Sequence, residues 1–303
     1  MKIAKTDIIA IMQDKFHLSL EENLFLAKKL LVENIYNTAK LEGVNTTFPE
    51  TEAILGGVNV PNAKLDDIQV ILNLRDAWRG VLSDIETSTI DLAFIKKINE
   101  NISRNESLAW GELRSGAIGI SGTNHRPKIP DEMEVEQSVD KILSDTDKSV
   151  TEKAIDLALY VMYNQIFWDG NKRTANLAAN SVLMQNGAGI LSISTDNIAE
   201  FNRLLKQYYD TGNSASLKNF LYSTSIVDFS TKNDTVNDTV NDTVSSTERA
   251  VLDVIKNNTS ATYEDIEATV GKSRKTVARA IARLKEKGLI SRIGSDKTGR
   301  WVV

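Results

Sequence analysis

Two apolar helical segments separated by a short polar turn constrain this chain more than any other feature. Residues 149–187 open with "SVTEKAIDLALYVMYN" and, after "DGNKR", continue with "TANLAANSVLMQNG". Ser149 and Glu152 have the spacing of a capping box, which starts helices. Because the first segment is apolar almost all round, it belongs inside a protein rather than on its surface. The pattern predicts a helix pair at the centre of a helical bundle, with a turn at Asp169–Gly170.

The turn between the two helices has the properties of an anion-binding site. A helix beginning at about Asn171 offers free backbone N–H groups and the positive end of its dipole. Gly170 permits close approach of a ligand, and Asn171, Lys172 and Arg173 add a neutral donor and two positive charges. Asp169 suits a magnesium ion that bridges it to a phosphate, since magnesium prefers oxygen ligands. A magnesium polyphosphate is therefore the favoured ligand; the alternative is a capped helix whose basic side chains are merely solvated.

Most of residues 1–228 have helical spacing, which predicts an all-α domain. The segment "SLEENLFLAKKLLVENIYNTAKLEG" (19–43) predicts one helix that ends at Gly43. Its apolar face includes Leu24, Leu31 and Ile35. The segments "KLDDIQVILNLRDAWRGVL" and "STIDLAFIKKINENIS" continue the same pattern.

One stretch of this domain departs from the helical pattern. Residues 110–130, "WGELRSGAIGISGTNHRPKIP", contain four glycines, two prolines and an alternating core. This pattern predicts a β-hairpin or extended flap. Long loops inside compact domains are often functional, so the flap is either a substrate-facing edge or a plain surface connection.

The two ends of the chain differ in charge, which indicates two domains with different partners. Residues 248–303 carry a net charge of +5 and residues 1–247 carry −10. Between them, "NDTVNDTVNDTV" repeats one tetrapeptide three times. Asn, Asp and Thr favour turns, so we predict a solvated linker over 229–247; the alternative is a short edge strand.

After the linker, the sequence predicts three short helices and a strand hairpin around "GSDKTG". The third segment, "SRKTVARAIARLKEKG", turns Val277, Ile281 and Leu284 inward. This arrangement over 248–303 resembles a winged helix-turn-helix, an α+β domain that binds double-stranded DNA. The alternative is a winged helix used for protein interaction or dimerisation. The candidate DNA-contacting residues are Lys272, Ser273, Arg274, Lys275, Arg279, Lys297 and Arg300.

Composition excludes several classes of chemistry. The chain has no cysteine and two histidines, His17 and His125. Disulfides, thiolate catalysis and multi-histidine metal sites are therefore excluded or nearly so. No apolar run approaches the about 18 residues of a membrane span. We expect a cytoplasmic protein without a membrane partner.

The loop "QIFWDGNKR" resembles the signature of the Fic/Doc family, H-x-F-x-D-G-N-(G/K)-R, and is similar to its Doc branch. "TAKLEG", residues 38–43, resembles the inhibitory motif that many Fic proteins carry, with Glu42 as its acid. The flap resembles the segment on which those enzymes place a target strand, here Gly119, Ile120, Ser121, Gly122 and Thr123. The resemblance implies transfer of AMP or phosphate from ATP or another nucleotide, with Mg²⁺, to a protein hydroxyl of Ser, Thr or Tyr. It places Gln165, Asp169 and Arg173 in the catalytic set.

The chain departs from that family signature at the catalytic histidine, which is replaced by Gln165. An amide has no pKa near neutrality and cannot act as a general base. Asn176 replaces the second arginine of the longer signature, so we expect Glu42 to lack its usual partner. Two hypotheses follow: a nucleotide-binding regulator without transferase activity, or a transferase whose base comes from elsewhere, with His125 on the flap as the candidate.

Overall fold

The computed structural model describes residues 12–231, 246–286, 289–294 and 299–302. It divides into two compact units. One contains Leu31–Ile226 with the described residues before Leu18, and the other contains Leu18–Leu30 with the described residues from Val227 onward. Lys297 and the NDTV repeat lie outside the described residues. No described helix combines the length and the apolar character that crossing a membrane requires.

The first unit is built from nine helices within the described residues. They are α2 (Leu31–Leu41), α3 (Phe48–Leu55), α4 (Leu65–Asp84), α5 (Leu92–Ile102), α6 (Glu132–Ser144), α7 (Val150–Asn164), α8 (Asn171–Gln185), α9 (Ile198–Thr211) and α10 (Ala215–Thr224), numbered after the helix α1 (Leu20–Lys29) of the second unit. Two short strands, β1 (Ile190–Leu191) and β2 (Ile226–Val227), form a two-stranded sheet at the end of this unit.

The centre of the first unit is the α7–α8 pair, as the sequence predicts. The two helices pack against each other, and α5 packs against α8. The side chains of Ile155, Leu157 and Val161 in α7 and of Ala178 and Leu183 in α8 are fully buried. Burying an apolar side chain of this size contributes about 1.5–3 kcal/mol, which is why an all-round apolar helix occupies the centre.

The helix predicted over 19–43 is instead two helices, α1 and α2, with a break at Leu30. Leu30 is itself buried, and its N–H donates to the carbonyl of Leu26 at 2.9 Å, which closes α1. The break lets each helix bury its own apolar face, because α1 belongs to the second unit and α2 to the first. Periodicity alone could not show this, since the apolar spacing continues through the break.

The flap is extended, as predicted. The expectation of a β-hairpin is corrected, because the described residues of the flap do not pair with one another as strands. Within 110–130 the described backbone forms only an isolated bridge, between Leu113 and Phe167. The reason is Arg114, which is 1% exposed and donates to the carbonyls of Gly116 and Pro127. These carbonyls would otherwise be available to a strand ladder, and the prolines supply no N–H.

The second unit joins α1 to a winged-helix arrangement of α11 (Ser246–Asn257), α12 (Tyr263–Val270), α13 (Arg274–Glu286), β3 (Ser291–Ile293) and β4 (Arg300–Val302). Strands β3 and β4 pair antiparallel, with Arg292 opposite Trp301. Val277, Ile281 and Leu284 are buried in the core of this unit, which confirms the inward face predicted for the third helix. The Glu22 carboxylate of α1 forms an ion pair with Arg300 of β4.

Candidate functional site

The loop between α7 and α8 is shaped by two residues with left-handed backbones. Gln165 ends α7 with φ 46°, and Gly170 precedes α8 with φ 71°. A Cβ added at Gly170 would lie 2.6 Å from the Ser103 hydroxyl and 2.8 Å from Ile102 Cγ2. Only glycine therefore fits this position without a shift of the loop or of α5.

The Asn171 side chain holds the loop closed rather than facing a ligand. Its Oδ1 accepts from the Phe167 N–H at 3.0 Å, and its Nδ2 donates to the Phe167 carbonyl at 2.9 Å. The side-chain amide is thus used within the loop, which corrects the expectation that it donates to phosphate. Phe167 itself is fully buried and wedges the loop into the core.

The floor of the loop is made by α5, whose polar residues sequence reasoning missed. Asn99 and Ser103 are both fully buried, and each donates to the Asp169 carbonyl at 3.0 Å. Asn99 also donates to the Thr174 hydroxyl at 3.1 Å. Two polar residues four apart on a helix that faces the core are the sequence signal that could have indicated this role.

Arg173 lies in the first turn of α8 and is 3% exposed. Its Nη1 donates to Glu106 at 2.8 Å and to the Ile102 carbonyl at 3.1 Å. Its Nε has no hydrogen-bond partner among the described residues. Burial raises the pKa of Glu106 above its ordinary value, while the charge of Arg173 acts in the opposite direction. Glu106 was also missed by sequence reasoning, because it lies outside any recognised motif.

Glu42 has partners at this loop other than the residue at position 176. Its carboxylate lies 3.3 Å from Lys172 Nζ and 3.9 Å from Arg173 Nε. Lys172 Nζ also donates to the Leu41 carbonyl at 3.0 Å. The end of α2 is therefore held against the first turn of α8 by the basic residues of the loop.

Asp169 is the most accessible acid of the loop, with its side chain 50% exposed. One of its oxygens accepts from the Gly170 N–H at 2.6 Å and lies 3.7 Å from an Arg173 nitrogen. Within the described residues, no cluster of three or more acidic or histidine side chains could hold a metal ion. A metal ion bound at Asp169 would therefore need further oxygen ligands besides this one carboxylate.

The Gln165 side chain is held by hydrogen bonds, one of which its Oε1 accepts from Asn171 at 3.3 Å. Its Nε2 donates to the Met162 carbonyl at 2.6 Å and to the Tyr209 hydroxyl at 3.2 Å. Its backbone carbonyl accepts from Arg114 Nε at 2.6 Å, which ties the flap to the loop. The Gln165 amide is thus held in place from both sides, by α7 and by Tyr209 of α9.

His125 is packed beside the end of α7. Its Nε2 lies 2.9 Å from the Tyr163 carbonyl, an acceptor that requires Nε2 to carry the proton. Its ring lies 4.1 Å from that of Tyr163 and 5.6 Å from that of Tyr209. Tyr209 in turn contacts Gln165, so the flap brings His125 to the neighbourhood of Gln165.

The predicted target-facing residues form the exposed tip of the flap. Thr123 N–H closes a turn on the Ile120 carbonyl at 3.3 Å, and Gly122 has φ 78°. Gly119 and Ser121 are exposed and Ile120 is half-buried. Their backbone is thus accessible to an added strand.

In the second unit, the predicted DNA-contacting side chains of α13 and of the two residues before it are exposed. Lys272, Lys275 and Arg279 are exposed. The Ser273 hydroxyl lies 3.0 Å from that of Thr276, and Arg274 lies 3.7 Å from the Glu264 carboxylate. Arg300 is paired with Glu22, as described above.

Comparisons with known proteins agree with this geometry. The Fic/DOC family model matches residues 89–183, and a winged helix-turn-helix DNA-binding model matches residues 245–291. A protein adenylyltransferase Fic of Nematostella vectensis is 28% identical over 169 residues, 53% of this chain and 39% of the relative. The chain thus spans about two fifths of that relative's length.

Two solved structures have the same fold. A Fic-domain signalling protein from Bacteroides thetaiotaomicron gives a TM-score of 0.57 at 20% identity, covering 68% of this chain and 86% of that one. A Fic family protein from Desulfovibrio desulfuricans gives a TM-score of 0.55 at 17% identity, covering 90% of this chain and 86% of that one. The chain contains a Fic/DOC family domain that carries the α7–α8 loop, followed by a winged helix-turn-helix domain.

Proposed function

We propose that this protein binds ATP, or a closely related nucleoside triphosphate, at the first turn of α8 and binds DNA through α13. In this proposal the Fic-type site senses nucleotide and has lost the base for transfer. The observation that carries it is Arg173, a guanidinium at the start of a helix that is 3% exposed and whose Nε has no hydrogen-bond partner among the described residues. A buried donor without a partner is costly unless a ligand completes it.

The first turn of α8 supplies the remaining anion contacts. The N–H groups of Asn171, Lys172 and Arg173 are among the four that a helix leaves unpaired at its start. The α8 dipole and Lys172 add positive potential at the same place. Gly170 permits the left-handed backbone that starts α8 at a position where a Cβ would meet Ser103 and Ile102. These groups fit a polyphosphate, and Asp169 would hold the magnesium that neutralises it.

Loss of the base argues for binding rather than rapid transfer. In a Fic-type reaction a target hydroxyl's proton moves to a base while that oxygen attacks phosphorus, and the phosphoanhydride bond to the leaving part of the nucleotide breaks. Gln165 cannot accept the proton, and its amide is held by Met162 and Tyr209. The relative in Nematostella vectensis is named an adenylyltransferase, which supports ATP as the ligand class for this site.

Glu42 would regulate the site by competing for its basic residues. Its carboxylate contacts Lys172 and approaches Arg173, and a phosphate would use the same two cations. Nucleotide binding would therefore require the end of α2 to release Lys172. This gives the site two arrangements that nucleotide can shift, as a switch requires.

DNA binding follows from the exposed basic face of α13. Lys272, Lys275 and Arg279 are exposed, while the opposite face of the helix is buried. Phosphate contacts need such a face, and the matched family model is described as DNA-binding. The combined proposal is a nucleotide-responsive DNA-binding protein.

A residual transferase activity is the second candidate, favoured by one observation. Because Nε2 of His125 donates to the Tyr163 carbonyl, the tautomer fixed by this contact carries its lone pair on Nδ1. A flap histidine could then replace the base that Gln165 does not supply.

The deciding experiment compares binding with transfer. ATP labelled at the α or γ position is incubated with lysate and with the wild-type protein, Gln165→His or His125→Ala, and ATP binding is measured by calorimetry. We expect wild-type protein to bind ATP without transferring label and Gln165→His to transfer it. Label transfer by wild type that His125→Ala abolishes would establish the second candidate. Absence of ATP binding by wild type would refute both.

A further inference from the structure

A cleft of about 530 Å³ lies beside the start of the flap and shares no residue with the α7–α8 loop. It is formed by α5, by the flap residues Trp110–Glu112 and by the first turns of α6. We refer to it as the Trp110 cleft.

Exposed apolar side chains are concentrated on the segments around this cleft. Trp110, which lines it, is 39% exposed. Leu108, Ile129 and Met133, on the adjoining segments, are 83%, 45% and 67% exposed. These are four of the six exposed large hydrophobic residues in the described part of the chain. Exposed apolar residues that are grouped rather than scattered mark interaction sites.

The rim of the Trp110 cleft has unbalanced negative charge. The two lysines at its edge are already paired, Lys96 with Glu132 at 2.8 Å and Lys97 with an acid of α4 at 2.9 Å. Glu100, Glu112 and Glu136 also line the cleft and are exposed, and none of the described residues forms an ion pair with them. The cleft is therefore complementary to a positively charged ligand and repels nucleic acid.

The position of Trp110 is fixed by the residue after it. The Gly111 N–H donates to the buried Asn99 amide oxygen at 3.0 Å. Gly111 has φ 72°, and a Cβ there would lie 2.9 Å from Glu100 Cβ. The segment that presents Trp110 is thus packed closely against α5, so the site is largely formed before any ligand binds.

We propose that the Trp110 cleft is a docking site for an extended protein segment in which an apolar side chain is flanked by Lys or Arg. The apolar side chain packs on the Trp110 ring, which also attracts cations over its face. The flanking cations meet the carboxylates of Glu112 and Glu136. Binding of the segment needs no nucleotide. Only the consequence of docking, which is to place a partner beside the flap, rests on the proposed function.

The test uses the full chain and a fluorescein-labelled dodecapeptide of alternating Arg and Leu separated by Ser and Gly, with Glu replacing Arg in a control peptide. Fluorescence anisotropy without nucleotide should show binding of the cationic peptide only. Trp110→Ala should weaken it about tenfold, as truncation of a central aromatic typically does. Glu112→Lys with Glu136→Lys should weaken it similarly.

A second double variant serves as a control, because it distinguishes an effect of the cleft from an effect of the protein's net charge. Glu52→Lys with Glu86→Lys makes the same change in net charge at exposed glutamates outside the cleft, and it should leave peptide affinity unchanged. Equal losses in both double variants, or unchanged affinity in Trp110→Ala, would overturn the proposal. If Trp110→Ala lowers Tm, the two double variants decide the question.

Sedimentation decides between a peptide and a second copy of the chain. A wild-type dimer that Trp110→Ala makes monomeric would assign the cleft to self-association and overturn the proposal. ATP binding is measured in parallel, so peptide binding without ATP binding would keep this inference and reject the proposed function.

Discussion

The carboxylate of Glu42 lies 3.3 Å from Lys172 Nζ, so the end of α2 is tied to the loop that opens α8. Lys172 occupies the signature position where other members of the resembled family carry glycine or lysine. The lysine thus supplies the contact that Asn176, which is buried and bonded to Asn180, does not.

Glu42→Gln should raise ATP affinity. The substitution removes the charge that competes with phosphate for Lys172 while keeping the side-chain volume. A partly exposed ion pair of this kind predicts a gain of roughly two- to fivefold. Calorimetry with ATP measures it, and Glu52→Gln, at an exposed glutamate of α3, is the control. Unchanged or weaker affinity would contradict the regulatory role of Glu42.

Arg114→Met should detach the flap from the α7–α8 loop. The guanidinium is 1% exposed and donates to carbonyls on both segments, including that of Gln165. Leaving buried carbonyls unpaired should cost about 3 kcal/mol or more of the free energy of unfolding. Urea unfolding measures the loss, and hydrogen exchange should rise across 113–130 first. The exposed Arg126 gives the matched control, Arg126→Met.

Gly170→Ala should disturb the anion site by steric conflict alone. The added Cβ would meet Ser103 Oγ at 2.6 Å, and φ 71° disfavours any L side chain. We expect a loss of roughly 2–4 kcal/mol in the free energy of unfolding and loss of ATP binding. The same change at Gly43, where φ is 80° but nothing lies within 4 Å of the Cβ, isolates the backbone part of the effect.

The sequence was sufficient to predict those helices whose apolar pattern is continuous. The α7–α8 pair and the buried face of α13 follow from periodicity, because each must bury a face of known spacing. The loop could be recognised because Gly170, Lys172 and Arg173 lie within four consecutive residues.

The sequence could not predict the side-chain contacts that join residues far apart along the chain. The Glu106–Arg173 pair joins residues 67 positions apart, and Lys172 finds Glu42 across 130 residues. The role of Asn171 was assigned wrongly, since an amide beside an anion site suits either a ligand or the local backbone. The break at Leu30 reflects a division between units that no local pattern encodes.

The stability of the second unit should rise with pH between about 8 and 10.5. Burial, with the charge of Lys256, lowers the pKa of Lys29 to about 8 from its ordinary 10.5. The folded state therefore binds fewer protons than the unfolded state in this window, and the free energy of unfolding increases with pH. Lys29→Met should stabilise the protein at pH 7 and flatten this dependence, as thermal unfolding at pH 7, 8 and 9.5 can show. Lys28→Met, at an exposed neighbour, should do neither.

DNA affinity should depend on salt through the exposed face of α13. Arg279→Ala and Lys275→Ala each remove one cation without touching the core of the second unit. Each should lower the slope of log affinity against log salt by about 0.9 if the side chain contacts a phosphate. Anisotropy titrations of a labelled duplex with the full chain, between 50 and 200 mM salt, measure the slope over roughly the range where such contacts dominate. Lys64→Ala, at an exposed lysine of the first unit, should leave the slope unchanged. Equal slopes for all variants would assign the winged helix to protein contacts instead.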